Sequence, residues 1–180
     1  MFKHVNLKRV LALAVLAIAA LVLAAGAAAS PSPSLSFGAS NDGASAGWSH
    51  GKGSAIDLTL GSSGGSFAEI TLHHVDGASV GTLDEPSFST DNYSAGSPRY
   101  FITLSDGNSL WGYPAASGLN GSEMAWAINN GNTYMSWSGV QASSESDATV
   151  TGAYVIADAD QAAGTVDSIS GLTFNGISFN

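Results

Sequence analysis

From Ser54 onward, apolar residues fall at alternate positions in short runs, and each run stops at Gly, Asn, Asp or Ser. In Ser54–Leu60 (SAIDLTL), Ile56, Leu58 and Leu60 alternate with Ala55, Asp57 and Thr59. In FAEITLHH, Ala68, Ile70 and Leu72 oppose Phe67, Glu69, Thr71 and His73. A period of two places one set of side chains on a buried face and the other toward solvent. The same reading predicts strands at Ser79–Leu83, Pro86–Thr90, Arg99–Leu104, Ser109–Gly112, Met124–Asn129, Thr133–Ser138, Ala148–Ala157, Ser168–Phe174 and Ile177–Phe179. Asp106-Gly107, Asn130-Gly131 and Asn175-Gly176 supply the positive-φ residues that tight hairpins need. The only window with helical propensity is Ala157–Ala163, too short to nucleate alone. About ten short strands with regular turn signals predict an all-β fold: a two-sheet antiparallel β-sandwich, jelly-roll-like.

The N-terminal third departs from this pattern. Lys3, Lys8 and Arg9 precede an unbroken apolar run from Val10 to Ala25, and Ala27-Ala28-Ala29 follows Gly26. A basic start, an apolar stretch and a small-residue exit predict a secretory signal peptide over residues 1–29. Sixteen apolar residues fall short of the ~20 that span a bilayer core, so cleavage and an extracellular location are expected, with no membrane insertion afterwards. Residues 30–49, rich in Ser, Pro and Gly, read as a flexible segment in which Leu35-Ser36-Phe37 can form an edge strand. The sandwich is assigned to residues 50–180.

Charge then narrows the partners. Downstream of Ala29, Lys52 and Arg99 stand against 14 acids, which leaves −12 where the whole chain carries −9. Such a surface repels phosphate backbones and disfavours nucleic acid. The chain has no Cys, so an exported domain of this size must be held by its core or by bound metal.

Three stretches carry a resemblance: FAEITLHHVDG (Phe67–Gly77), AGSPRYFITLSDG (Ala95–Gly107) and TVTGAYVIADADQAAGTVDSISGLTFNG (Thr149–Gly176). They resemble poorly characterised secreted bacterial β-sandwich proteins. The closing VDSISGLTF is similar to the last strand of jelly-roll carbohydrate-binding modules, where an Asp in a hydrophobic-Asp-x-Ile step helps hold a structural calcium. The resemblance implies carbohydrate binding and makes Asp167 a candidate calcium ligand.

The residues themselves offer several constellations. Asp158, Asp160 and Asp167 lie in DADQAAGTVD. Hard cations take six to eight oxygens, and acids two apart on a loop can converge on one calcium; a solvated acidic turn has the same composition. For a sugar, Trp and Tyr rings offer apolar faces that stack on pyranose C–H groups. Trp111 and Tyr113, in WGYP at a strand end, are the leading candidates, with Trp137 in TYMSWSG as a third. Trp126 alternates with Met124 and Ile128 and reads as core. Arg99 enters its strand just after a proline. It either pins that turn through an ion pair or hydrogen bonds, or offers a bidentate fork to a ligand carboxylate or hydroxyl pair.

Other chemistry is thinner. His73 and His74 are strand neighbours and point to opposite faces, so they cannot share a metal unaided. A glycosidase needs two carboxylates, and Glu69 with Glu123 is the pair the strands suggest. Two alternatives therefore stand beside a non-catalytic glycan-binding module: a small glycoside hydrolase, and a surface or matrix protein with a protein partner. The Ala-Ala-Ala-Ser junction predicts a mature protein beginning at Ser30, which N-terminal sequencing of exported material checks; full precursor in the membrane fraction overturns it.

Overall fold

The computed structural model describes residues 31–91, 96–114, 124–158 and 161–179; the export-signal reading of residues 1–29 lies outside them. Eleven strands form two sheets, with every pairing antiparallel. They are β1 (Ser34–Ala39), β2 (Ser45–Trp48), β3 (Ile56–Thr59), β4 (Phe67–His73), β5 (Ser87–Thr90), β6 (Arg99–Leu104), β7 (Ser109–Pro114), β8 (Met124–Ile128), β9 (Val150–Asp158), β10 (Val166–Phe174) and β11 (Ile177–Ser178). The first sheet runs β1-β4-β9-β6-β7-β8. The second runs β11-β10-β3-β2, and β5 also pairs with β10. The expected all-β sandwich is the fold.

The alternation sorts the side chains as anticipated. One row across the six-stranded sheet joins Phe37, Ile70, Val155, Tyr100, Gly112 and Trp126 in cross-strand register, all on the inner face. Gly112 has a specific reason to lack a side chain: a Cβ there meets the Trp126 indole at 2.7 Å. The space it leaves lets Trp126 lean across to stack on Tyr100, with ring centroids 6.1 Å apart. Tyr100 is fully buried and also contacts Phe88 and Phe174. Its hydroxyl donates to the Thr173 carbonyl of the opposite sheet at 2.6 Å, which satisfies a polar atom that would be costly to bury unpaired. Burial pushes that hydroxyl's pKa well above its ordinary value.

Three expectations need correction. The sandwich starts earlier than Ser/Pro/Gly composition suggested, because β1 and β2 lie within residues 30–49. Ser79–Leu83 is a 3₁₀ turn over Val80–Thr82, not a strand. Val80 and Leu83 are both buried, and spacing of three suits a 3₁₀ turn, where i and i+3 eclipse. Thr133–Ser138 is likewise no strand. Only Met135 makes a bridge, to Trp126, after which Ser136 caps a short helix, α1 (Trp137–Gln141), by accepting from the Gly139 N–H. Trp137 and Val140, three apart, both enter the core. The Ala157–Ala163 window, read as too short to nucleate a helix, opens on strand, because β9 continues through Asp158.

Without disulfides, Asp42 fastens the link between β1 and β2. Its Oδ2 accepts from the Ser63 N–H at 2.9 Å and from the Ser63 hydroxyl, and its Oδ1 accepts from Ser40 and Ser66. These hydrogen bonds, that from Ser40 foremost, hold its carboxyl well below the ordinary carboxylate range. A lowered folded-state pKa stabilises the fold above the unfolded value near 3.8, and that contribution is lost as pH falls through the folded value. Unfolding curves below about pH 4 should therefore show an acid-sensitive limb that Asp42→Asn flattens. An unchanged limb in that variant removes Asp42 from the account. Gly112→Ala should cost about 1–3 kcal/mol by overpacking in urea unfolding, while Gly64→Ala, whose Cβ would meet open space, should change stability by less than about 0.5 kcal/mol.

Candidate functional site

The outward positions of the six-stranded sheet carry a second row in the same register: Ser36, Thr71, Tyr154, Phe101, Trp111 and Ala127. Three of its neighbours are aromatic, one each on β9, β6 and β7. The Phe101 ring centroid lies 4.6 Å from Trp111 and 5.8 Å from Tyr154, within the range in which aromatic pairs attract. All three rings are partly exposed. Each sits opposite an inward-facing neighbour that fills the core, such as Tyr100, Leu110 and Val155. The core does not consume the outer rings, which form one contiguous, partly exposed apolar row.

One register step along, β7 presents Tyr113 beside this row. Its hydroxyl donates to the Asn130 side-chain carbonyl, in a turn where Asn129 and Asn130 both take positive φ. Tyr134 meets the Tyr113 ring edge-on at 5.6 Å and is 43% exposed. Burial raises the Tyr113 hydroxyl's pKa, partly offset by the nearby Arg99. Trp111 is oriented by its own indole N–H, which donates to the Ser109 hydroxyl at 3.1 Å.

Arg99 completes the patch. Its guanidinium lies over the Trp111 ring, 5.5 Å from the centroid, a cation–π distance. It also forms an ion pair with Asp158, where Nη2 donates to Oδ2, and Nη1 reaches the Ser97 carbonyl at 3.4 Å. Of the two roles open to Arg99 from sequence, the turn-pinning one is present. The Asp158 pair and the Ser97 contact tie the strand entry to β9.

The sequence candidates are thus unevenly gathered. Trp111, Tyr113 and Arg99 share one face. Trp137 lies elsewhere, in α1: it is 6% exposed, packs on Trp126 at 4.8 Å and donates its indole N–H to the Leu83 carbonyl at 2.9 Å. Its place is in the core, because the helix turns it inward. Asp158 and Asp167 do not converge. Asp158 stands on the outer face of the six-stranded sheet, paired with Arg99, whereas Asp167 is fully buried on β10 and accepts from Gln161 at 2.8 Å. Asp160 lies outside the described residues, among which no three His, Asp or Glu side chains group to hold a metal. Glu69 is on the outer face and accepts from the Thr71 hydroxyl at 2.8 Å; its suggested partner Glu123 is outside the described residues. His73 contacts the Ser36 hydroxyl through Nε2 at 2.6 Å, and His74 leaves the strand at positive φ.

Sequence reasoning missed Phe101, Tyr154 and Tyr134. Phe101 and Tyr154 occupy the outward phase of RYFITL and VTGAYVIAD, which is a usable signal. Their meeting with Trp111 depends on strand order and register, which periodicity does not encode. A buried acid was also missed. Glu145 is 4% exposed, and the Asn108 side-chain amide donates to both Glu145 and Asp106 at 3.0 Å. Hydrogen bonds, led by the Asn108 backbone N–H, lower the Asp106 pKa, so this cluster locks the β6–β7 turn. No family model matches this chain, and no curated protein or solved structure matches it either.

Proposed function

We propose that this is a secreted, non-catalytic carbohydrate-binding β-sandwich whose ligand lies on the outer face of the six-stranded sheet. The observation that carries the reading is the cross-strand row Trp111–Phe101–Tyr154, extended by Tyr113 and Tyr134. Sugar rings have apolar C–H faces and polar rims. They bind where partly exposed aromatic rings lie beside hydrogen-bonding groups. Arg99, Asp158, Asn130 and Ser109 supply such groups at the edges of the row. A sheet holds these rings at fixed spacing, so little conformational entropy is lost when the ligand docks.

Trp111→Ala should lower retention on the polysaccharide at least tenfold in affinity electrophoresis while the melting temperature changes little. Trp137→Ala is the contrast: a buried indole leaves a cavity, and the loss should be about 3–5 kcal/mol. Equal destabilisation by both substitutions would make Trp111 a core residue and remove the platform. Glu69→Gln and Glu123→Gln should retain binding; a measurable hydrolysis of the polysaccharide that either abolishes would place the protein among glycoside hydrolases.

A further inference from the structure

Resting on that reading, we propose that the ligand is a neutral polysaccharide and that Asp158 is the residue that excludes acidic ones. The sheet face has a cation in the right place to hold a uronate: the Arg99 guanidinium, held over the Trp111 ring. The planar fork of a guanidinium fits a carboxylate bidentately. Here a carboxylate from the chain itself already engages it. Asp158 places Oδ2 on Arg99, while its Oδ1 is turned away from solvent with no hydrogen-bond partner among the described residues.

Asp158 therefore depends on Arg99 for compensation of its charge. Releasing the guanidinium to an incoming uronate would strand a partly buried carboxylate, a costly exchange. The only other cation after residue 29 is Lys52, which belongs to the loop between β2 and β3 in the other sheet. The field at the face is that of a chain with net charge −12 after residue 29, from two cations and 14 acids. A polyuronate is repelled by it and finds no uncommitted cation beside Trp111. A neutral sugar needs neither. Its hydroxyl oxygens can accept from guanidinium N–H groups not engaged by Asp158 or Ser97, while its ring stacks on the aromatic row.

The test compares retention of the mature protein on a panel of neutral polysaccharides (glucan, xylan and mannan) with retention on polygalacturonate, at low and high salt. Wild type should bind at least one neutral polymer, unaffected by salt, and polygalacturonate at least tenfold more weakly. Asp158→Asn keeps the side-chain shape, removes the competing charge and should gain at least tenfold affinity for polygalacturonate, an affinity that high salt abolishes. Asp76→Asn, in an exposed turn after β4, removes a charge without releasing Arg99 and should gain nothing. Adding Arg99→Gln to Asp158→Asn should erase the gain. The inference is overturned if wild type prefers polygalacturonate, if a folded Asp158→Asn gains nothing, or if Asp76→Asn gains as much. If Asp158→Asn does not fold, the wild-type preference alone decides. Failure of wild type to bind either class counts instead against the carbohydrate reading beneath it.

Discussion

The hydroxyl of Tyr100 crosses the sandwich. From the middle of one sheet it reaches a backbone carbonyl of the other at 2.6 Å, and its ring gathers Phe88, Trp126 and Phe174. Two sheets that meet only through apolar side chains can slide or rotate at little cost, since dispersion is non-directional. One buried, directional hydrogen bond between them, together with rings of fixed geometry, sets a single relative placement. Trp126 can take part because Gly112 vacates the position between it and Tyr100, and α1 then closes over Trp126 with Trp137. A chain without cysteine thus obtains from five aromatic residues and one glycine the registration that many small domains draw from disulfides.

That interior arrangement determines what the exterior can be. Along β6, β7 and β9 the inner side chains, with the Trp126 ring over Gly112, close the core without the aromatics at the outer positions. Phe101, Trp111 and Tyr154 line up only because antiparallel pairing places one residue of each strand directly opposite the next. The precision of the outer row is inherited from the inner one. A slip of one residue would exchange the two faces, and the Tyr100–Thr173 bond guards against it.

Much of this was legible in the chain. Alternation located β3, β4, β6, β8 and β10 to within a residue or two, and Arg99–Leu104 to its ends. It failed where residues at spacing three were buried by tight helical turns, as with Val80 and Leu83 or Trp137 and Val140. There, short apolar segments imitate strands. It also failed for β2, whose Ser and Gly content lacks strand propensity but whose backbone pairs with β3, and it reached only the Leu35–Phe37 centre of the edge strand β1. For the site, Trp111, Tyr113 and Arg99 could be picked out singly by type and setting. Their association with Phe101, Tyr154 and Asp158 is a matter of strand order, and no local pattern carries that. The sequence neighbours Asp158 and Asp167 separate for the same reason. Each belongs to a different sheet, one outward and one inward.

The scarcity of basic residues has a further effect on trypsin-like proteases, which cut after Lys and Arg. After residue 29 such an enzyme finds only two targets. Arg99 begins a paired strand, 11% exposed and engaged by Asp158, so its peptide bond is shielded as long as the sheet holds. Lys52 is exposed in the loop between β2 and β3, flanked by Gly51 and Gly53 at positive φ, the kind of tip where nicking concentrates. A single cut there falls between two strands that remain paired to each other. The domain can survive the loss of that one bond, and the aromatic row of the six-stranded sheet keeps its registration.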